Sequence, residues 1–222
     1  MIRPSLFAAF FLLFSAAPAL AQDSSYWDSG FDTGGGSGGG SRGSLFGGSD
    51  FSYGYFDLGY FNHDFQSDAV DTAGGFGGVL SVPLVDSLYV KAALGFASPA
   101  DQTTGQDLDY VTWQLGAGIG LPIATGFDLV LEAGIAHQEL TGARFLDSFD
   151  GYGYYASPGV RWAIGDLIEL NGGVTFMNID SDSNVSVDLK ALLHLLPSVS
   201  LWGGASFSEE VNQYGVGLRL SF

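Results

Sequence analysis

Apolar residues recur at every second position along most of this chain, and residues 213–222 show the pattern most clearly. There, Tyr214, Val216, Leu218, Leu220 and Phe222 alternate with polar or very small residues. Successive side chains of a β-strand point to opposite faces, so a period of two indicates a strand whose faces meet different surroundings.

Ten segments alternate in this way from residue 51 onward, and no segment shows the periodicity of a helix. Their approximate bounds are 51–62, 73–83, 87–97, 108–122, 127–138, 152–163, 167–178, 185–195, 199–208 and 212–222. Each is close to the roughly 9 to 11 residues that a tilted strand needs to cross a bilayer. Within the sixth segment, Pro158 has no backbone donor, so we expect a bulge or a break in that strand.

The connections between these segments also follow a pattern. Those after the second, fourth, sixth and eighth segments are tight, whereas the others are mostly longer and acidic, such as 63–72, 98–107 and 139–151. Tight turns at one end and longer loops at the other are typical of an up-and-down antiparallel transmembrane β-barrel. We therefore predict an all-β barrel over residues 51–222, with ten strands or alternatively eight. The last strand should pair with the first, because lipid tolerates no open edge.

The two faces of these segments differ in chemistry. One face is apolar and carries no charge, as lipid contact requires, because Arg or Lys at the bilayer midplane costs about 2 to 4 kcal/mol. The other face carries charges that closure would gather around one lumen: Asp57, Lys91, Asp128, Glu132, Arg161, Glu169, Asp188, Lys190 and Arg219, with the polar Gln114 and Asn171. We predict that these charges pair, since an unpaired buried charge is costly. Arg219 should face the acids Asp57, Glu132, Glu169 and Asp188, and which of them it contacts depends on how the strands are staggered around the barrel.

Glycines lie between the charges of this inner face: Gly77, Gly95, Gly116, Gly118, Gly120, Gly134, Gly159, Gly173 and Gly217. We expect them to leave space for long Arg, Lys and Glu side chains, which gives a closed or nearly closed lumen. The alternative is a narrow wet passage through the same space.

The first 50 residues carry different signals. Arg3, an apolar run at 6–14 and the small-residue site at Ala21 predict a cleaved signal peptide over 1–21, with an uncleaved anchor as the alternative. Residues 22–50 are rich in Gly, Ser and Asp and predict a disordered leader. A phosphate-binding glycine loop would require a Gly-Lys-Ser/Thr ending, which is missing. The chain has no Cys, so lipid attachment to Cys, disulfides and thiolate metal sites are excluded.

Composition narrows the function classes. After loss of Arg3, six Lys and Arg oppose 24 Asp and Glu, a net charge of about −18 that repels nucleic-acid phosphates. Hydrophobic residues make up 46% of the chain, which argues against acidic disorder from residue 51 onward. No acidic loop has EF-hand spacing, and 180–184 lacks the following Gly and Glu, so we predict a solvated acidic rim with no metal and no cofactor.

The stretches 74–83 and 88–96 resemble the second and third strands of small OmpA-type outer-membrane β-barrels. The terminal strand, with Tyr214, Leu218, Leu220 and Phe222, resembles the carboxy-terminal signature that the barrel assembly machinery recognises. The resemblance covers residues 51–222 and implies a protein of the Gram-negative outer membrane, in contact with lipid and lipopolysaccharide. Two features depart from the family: ten strands instead of eight, and no peptidoglycan-binding domain after the barrel.

Three histidines are the candidates for catalysis. His63 is followed by Asp64, and His137 lies two residues before Glu139, both pairs near the loop end, while His194 lies near the tight-turn end. A catalytic His needs an orienting carboxylate and a nucleophile or activated water within hydrogen-bond reach, and neighbouring strand residues point to opposite faces. We therefore predict a non-enzymatic, monomeric barrel with a structural or surface-interaction role. A small porin-like channel is the second hypothesis and a surface enzyme is the third.

Overall fold

The computed structural model describes residues 49–66, 70–85, 87–100, 107–142 and 149–222. The predicted signal peptide lies outside these residues, as does the predicted leader apart from Ser49 and Asp50. The strands are β1 (Tyr55–Phe65), β2 (Ala73–Val85), β3 (Leu88–Ala97), β4 (Asp109–Ala124), β5 (Phe127–Thr141), β6 (Phe149–Ile164), β7 (Ile168–Ile179), β8 (Asp182–Leu196), β9 (Val199–Phe207) and β10 (Val211–Ser221). The described residues include no helix long and apolar enough to cross a membrane.

The ten strands form one closed antiparallel barrel, in which each strand pairs with its neighbours in sequence. β10 returns to β1, with a register that runs from Tyr55 opposite Ser221 to Phe65 opposite Val211. Ten strands and closure of the last on the first are therefore confirmed, and the eight-stranded alternative is wrong. Closure gives the backbone groups of both edges a partner, which a sheet in lipid requires.

The lengths of the connections differ less between the two ends of the barrel than predicted. The β4–β5 and β6–β7 turns remain tight, with Gly126 and Gly165 at positive φ. At the opposite end, which we call the loop end, the connections after β1, β3 and β5 are long. The β7–β8 connection there is a two-residue turn in which Asp180 and Ser181 both have positive φ, the conformation that suits a tight hairpin.

Side chains alternate across the barrel wall as the period of two predicts. In β8, Val187 and Leu189 are exposed on the outside, while Asp188 and Lys190 point into the lumen. Exposed large apolar side chains occur on every strand and form an apolar belt around the barrel. An apolar surface of this extent is unfavourable in water and favourable in lipid.

Pro158 neither breaks β6 nor creates a bulge beside it. The residue pairs with Leu131 of β5, and β6 is continuous on both sides of it. The ladder to β7 lapses only between Ala156 and Gly159, without a change of register. The backbone pairing is interrupted there because proline lacks the N–H that the ladder would use. The hydroxyls of Ser157 and Thr175 form a hydrogen bond across the interruption, at 2.9 Å.

Candidate functional site in the barrel lumen

Asp57 is the centre of the lumen charges. It lies opposite Arg219 in the β1–β10 register, and the guanidinium donates two hydrogen bonds to its carboxylate, at 2.6 and 2.8 Å. Lys190 of β8 donates a third, at 3.0 Å. Asp57 and Arg219 are both buried, so this bidentate pair is of the charge-assisted kind that a buried carboxylate needs.

A second pair continues this network on β6 and β7. Arg161 donates two hydrogen bonds to Glu169, at 3.0 and 3.1 Å, and Asn171 donates another at 2.9 Å. Arg219 reaches the same carboxylate at 3.8 Å and so joins the two pairs. Five charges of the predicted lumen set therefore form one connected network that spans from β1 to β6.

The remaining acids of the set have different partners. Glu132 accepts hydrogen bonds from Lys91 and from the phenol of Tyr89. Asp188 accepts from Thr175 at 2.7 Å, Ser206 at 2.6 Å and Ser186. Asp128 accepts from two hydroxyls, described below. The lumen set has five acids and four bases, so not every acid has a basic partner. Hydroxyl donors satisfy the acids that lack one. Of the four acids that Arg219 was expected to face, it contacts Asp57 and Glu169.

Residues 49–54 enter the tight-turn end of the lumen, and we call them the plug segment. Phe51 and Tyr53 are buried, and the Tyr53 ring stacks on Tyr89 with centroids 4.8 Å apart. Tyr53 and Ser49 donate hydrogen bonds to Asp128, at 2.6 and 2.5 Å. Burial, with help from the bond to Asp128, raises the pKa of the Tyr53 phenol, which therefore remains a neutral donor.

Further bonds fix the backbone of the plug segment to the barrel wall. Arg161 donates to the carbonyl of Ser52 at 3.1 Å, and its guanidinium lies 4.6 Å from the Phe51 ring and 4.8 Å from the Tyr53 ring. Ser81 donates to the carbonyl of Tyr53 at 2.7 Å. At the rim, the N–H of Gly126 donates to Asp50 at 2.8 Å. The first strand was predicted to begin at residue 51, but these contacts delay it to Tyr55.

The lumen glycines accommodate aromatic rings more than long charged side chains, contrary to our expectation. Tyr89 lies over Gly118, its register partner on β4, and Tyr53 lies over Gly120. Trp202 of β9 covers Gly59 and Gly217 in the same way. The period of two places the charged residues in the lumen, and it places Tyr89 there as well, because Tyr89 has the same phase as Lys91.

A cavity of about 710 Å³ lies between the plug segment and the loop end. Its lower part is lined by Lys91, Glu132, Asp188, Lys190 and Arg219. Near the loop end, polar side chains line part of its wall, including Asp182, Asn184, Glu210 and Gln213. The other part is lined by inward-facing aromatic and aliphatic side chains: Phe61, Phe65, Tyr110, Leu140, Met177 and Ile179. We call these six residues the apolar collar. The lumen is thus charged near the plug segment, and toward the loop end one part of its wall is apolar and the other part is polar.

The structure does not bring the three histidines together. His63 is buried at the loop end against Phe65 and Tyr110, with ring centroids 6.1 and 5.7 Å away. His137 contacts Asp150 at 2.8 Å, and not Glu139. His194 contacts Ser200 at 2.7 Å. Within the described ranges, no three His, Asp or Glu side chains are placed to hold a metal ion.

The chain matches no family model and no curated protein. Solved structures do share its fold. The translocator domain of autotransporter NalP from Neisseria meningitidis is 11% identical, over 78% of this chain and 90% of that chain, with a TM-score of 0.50. This chain has the fold of an outer-membrane β-barrel.

Two further barrels are similar at lower TM-scores. The outer membrane protein OprG from Pseudomonas aeruginosa is 13% identical over 79% of this chain and 98% of that chain, and the KdgM porin is 10% identical over 75% and 99%. Both have a TM-score of 0.42. At these identities the likeness concerns the fold alone, and the resemblance to the OmpA-type family stays a prediction.

Proposed function

We propose that this chain is a monomeric barrel of the Gram-negative outer membrane with a closed lumen, and that it serves envelope structure or surface interaction. The observation that carries the proposal is the plug segment. Tyr53 and Ser49 hold Asp128 on β5, while Arg161 and Ser81 hold the backbone of the same segment. The segment is therefore tied to several strands at the tight-turn end, where an open pore would need an exit.

The ion pairs support closure above the plug segment. The network of Asp57, Arg219, Glu169 and Arg161 lies directly beside it and crosses the lumen with buried side chains. Opening a path there would separate charges that are buried and bonded, which costs several kcal/mol per pair. A stable, closed interior suits a protein whose contacts are made at its outer surface and in its loops.

A small channel is the second candidate, and the cavity of about 710 Å³ favours it. A cavity of that size holds many water molecules, so removal of the floor would create a passage. Steady unit conductance from the full chain in a planar bilayer would support a channel. Silence from correctly folded protein would support the closed barrel.

An enzyme is the third candidate, and one arrangement favours it. His194 contacts the Ser200 hydroxyl, and its other ring nitrogen lies 3.8 Å from Glu169, so the three residues follow the order of a Ser–His–acid triad. However, Ser200 is only 2% exposed, and the carboxylate of Glu169 is already occupied by Arg161. A substrate cannot reach the hydroxyl in this conformation, so the geometry favours a structural role for all three.

A barrel in the outer membrane would have lipid and the assembly machinery as partners, and its location can be tested. We propose that lipid and lipopolysaccharide surround the apolar belt, and that the barrel assembly machinery reads Tyr214, Leu218, Leu220 and Phe222. Membrane-extracted protein should migrate differently on a gel before and after boiling, and it should fractionate with the outer membrane. A soluble monomer in the periplasm would contradict the proposal.

A further inference from the structure

We propose that the lumen cavity is a binding site, entered from the loop end, for a small amphiphile with one anionic head group, such as a phenylalkanoate. The inference rests on the closed lumen of the proposed function, because a floor at the plug segment makes the cavity a dead end. A dead-end cavity retains a ligand that a channel would pass through. The head group should lie low, near the lysines, and the apolar body should lie in the apolar collar.

The apolar collar is the first observation behind this site. Phe65 packs edge-on against Tyr110 with ring centroids 5.5 Å apart, and Ile179 is buried against Met177 and Tyr155. These side chains face the lumen, where a barrel of this kind is normally polar. A concave cavity that combines an apolar wall with a few convergent polar groups is the usual form of a small-molecule site.

The lysines at the base of the cavity indicate the charge of the ligand. In the Lys190–Asp57 pair, the lysine side chain is 29% exposed and the carboxylate side chain 2%. In the Lys91–Glu132 pair, the values are 20% and 12%. The lysine is therefore the more exposed side chain of each pair, and the Lys190 ammonium also lies 4.6 Å from the centre of the Trp202 ring.

Both lysines line the same cavity. An anion at its base would accept charge-assisted hydrogen bonds from their ammonium groups. Asp188 lines the same region, but Thr175, Ser186 and Ser206 already donate to its carboxylate. A carboxylate or sulfonate head group consequently fits this base better than an amine.

Calorimetric titration of the full chain in lipid nanodiscs tests the inference, with protein-free nanodiscs as the blank. The probes are 4-phenylbutanoate, 4-phenylbutan-1-ol and 4-phenylbutylamine, which share one apolar body. We expect saturable binding of the carboxylate, with the alcohol and the amine at least about tenfold weaker, because each lacks the charge-assisted bonds. Equal binding of the three probes, or no saturable binding of any, would overturn the proposal.

Variants of the same chain separate the two parts of the site. Lys190→Gln should weaken carboxylate binding about tenfold and leave the alcohol unchanged, and it keeps the fold because Asp57 retains Arg219. Phe65→Ser should weaken all three probes, and Asp166→Asn, in the β6–β7 turn, should weaken none. Carboxylate binding unaffected by Lys190→Gln would refute the assigned head-group position. Silent bilayers without binding would refute this inference alone, whereas conductance by the full chain would refute the closed barrel.

Discussion

Asp57 and Arg219 lie directly opposite one another on the first and last strands, joined by two hydrogen bonds of 2.6 and 2.8 Å. The pair therefore connects the two ends of the barrel sequence on the inside, just where closure brings β1 and β10 together. Both side chains are buried, so the ion pair also helps the plug segment to close the lumen.

Arg219→Gln should destabilise the barrel by about 1.5 to 3 kcal/mol, the value of a hydrogen bond to a charged group, because Asp57 loses both guanidinium bonds and keeps only Lys190. Unfolding by guanidinium in lipid vesicles measures this loss. The triple variant Asp57→Asn, Lys190→Gln, Arg219→Gln should recover part of the stability, since Asp57 and both of its cations are then removed together. Asp166→Asn in an exposed turn is the matched control and should change stability by less than about 0.5 kcal/mol. An Arg219→Gln barrel as stable as this control would contradict the role given to the pair.

Leu189→Arg should destabilise the barrel in lipid by about 2 to 4 kcal/mol, the cost of a cation near the bilayer midplane. Leu189 lies in the middle of β8, points outward and is 53% exposed. Asp166→Arg places the same charge in a tight turn and should be tolerated. If both variants fold equally well in vesicles, the outer face of β8 does not contact lipid.

Gly59→Ala should destabilise the barrel by about 1 to 3 kcal/mol through overpacking. A methyl group there would collide with the Trp202 ring and lie 2.9 Å from the carbonyl oxygen of Val216. Gly203, which pairs with the same Val216, is the matched control, because its added methyl would meet nothing closer than 4.0 Å. The measurement compares the unfolding midpoints of Gly59→Ala and Gly203→Ala in vesicles. Equal midpoints would show that Trp202 is not held against Gly59.

Arg219 also shows how much of the site the sequence can predict. Its place on the inner face follows from the period of two, because the charged residues within the strands share one phase. Its partner does not follow, since that depends on how the strands are staggered around the barrel. The register of β1 and β10 places Arg219 opposite Asp57. The curvature of the barrel wall brings the Glu169 carboxylate within 3.8 Å of the Arg219 guanidinium.

The plug segment was beyond prediction for a related reason. Phe51 and Tyr53 continue the alternation of β1 with the phase of Asp57, so periodicity cannot distinguish an inserted segment from the start of a strand. The contacts that distinguish them, with Asp128 and Arg161, come from strands far along the chain. The inward position of Tyr89 and Trp202 could have been predicted, because Tyr89 has the phase of Lys91 and Trp202 alternates with the outward-facing Leu201.

Tyr53→Phe should cost about 1.5 to 3 kcal/mol, the value of a hydrogen bond to a charged group, because Asp128 loses one of its two hydroxyl donors. The ring and its stacking on Tyr89 remain, so the variant isolates the hydroxyl. Tyr60→Phe, on the outer face, is the matched control. Urea or guanidinium unfolding in vesicles measures both, and identical midpoints would mean that the bond between Tyr53 and Asp128 does not hold the plug segment.

The closed lumen is tested most directly by planar-bilayer recording of the full chain beside the double variant Phe51→Gly, Tyr53→Gly. The variant removes both rings that fill the tight-turn end, together with the donor to Asp128. We expect no unit conductance from the full chain and discrete openings from the variant. Steady unit conductance from the full chain, unchanged in the variant, would contradict the closed barrel.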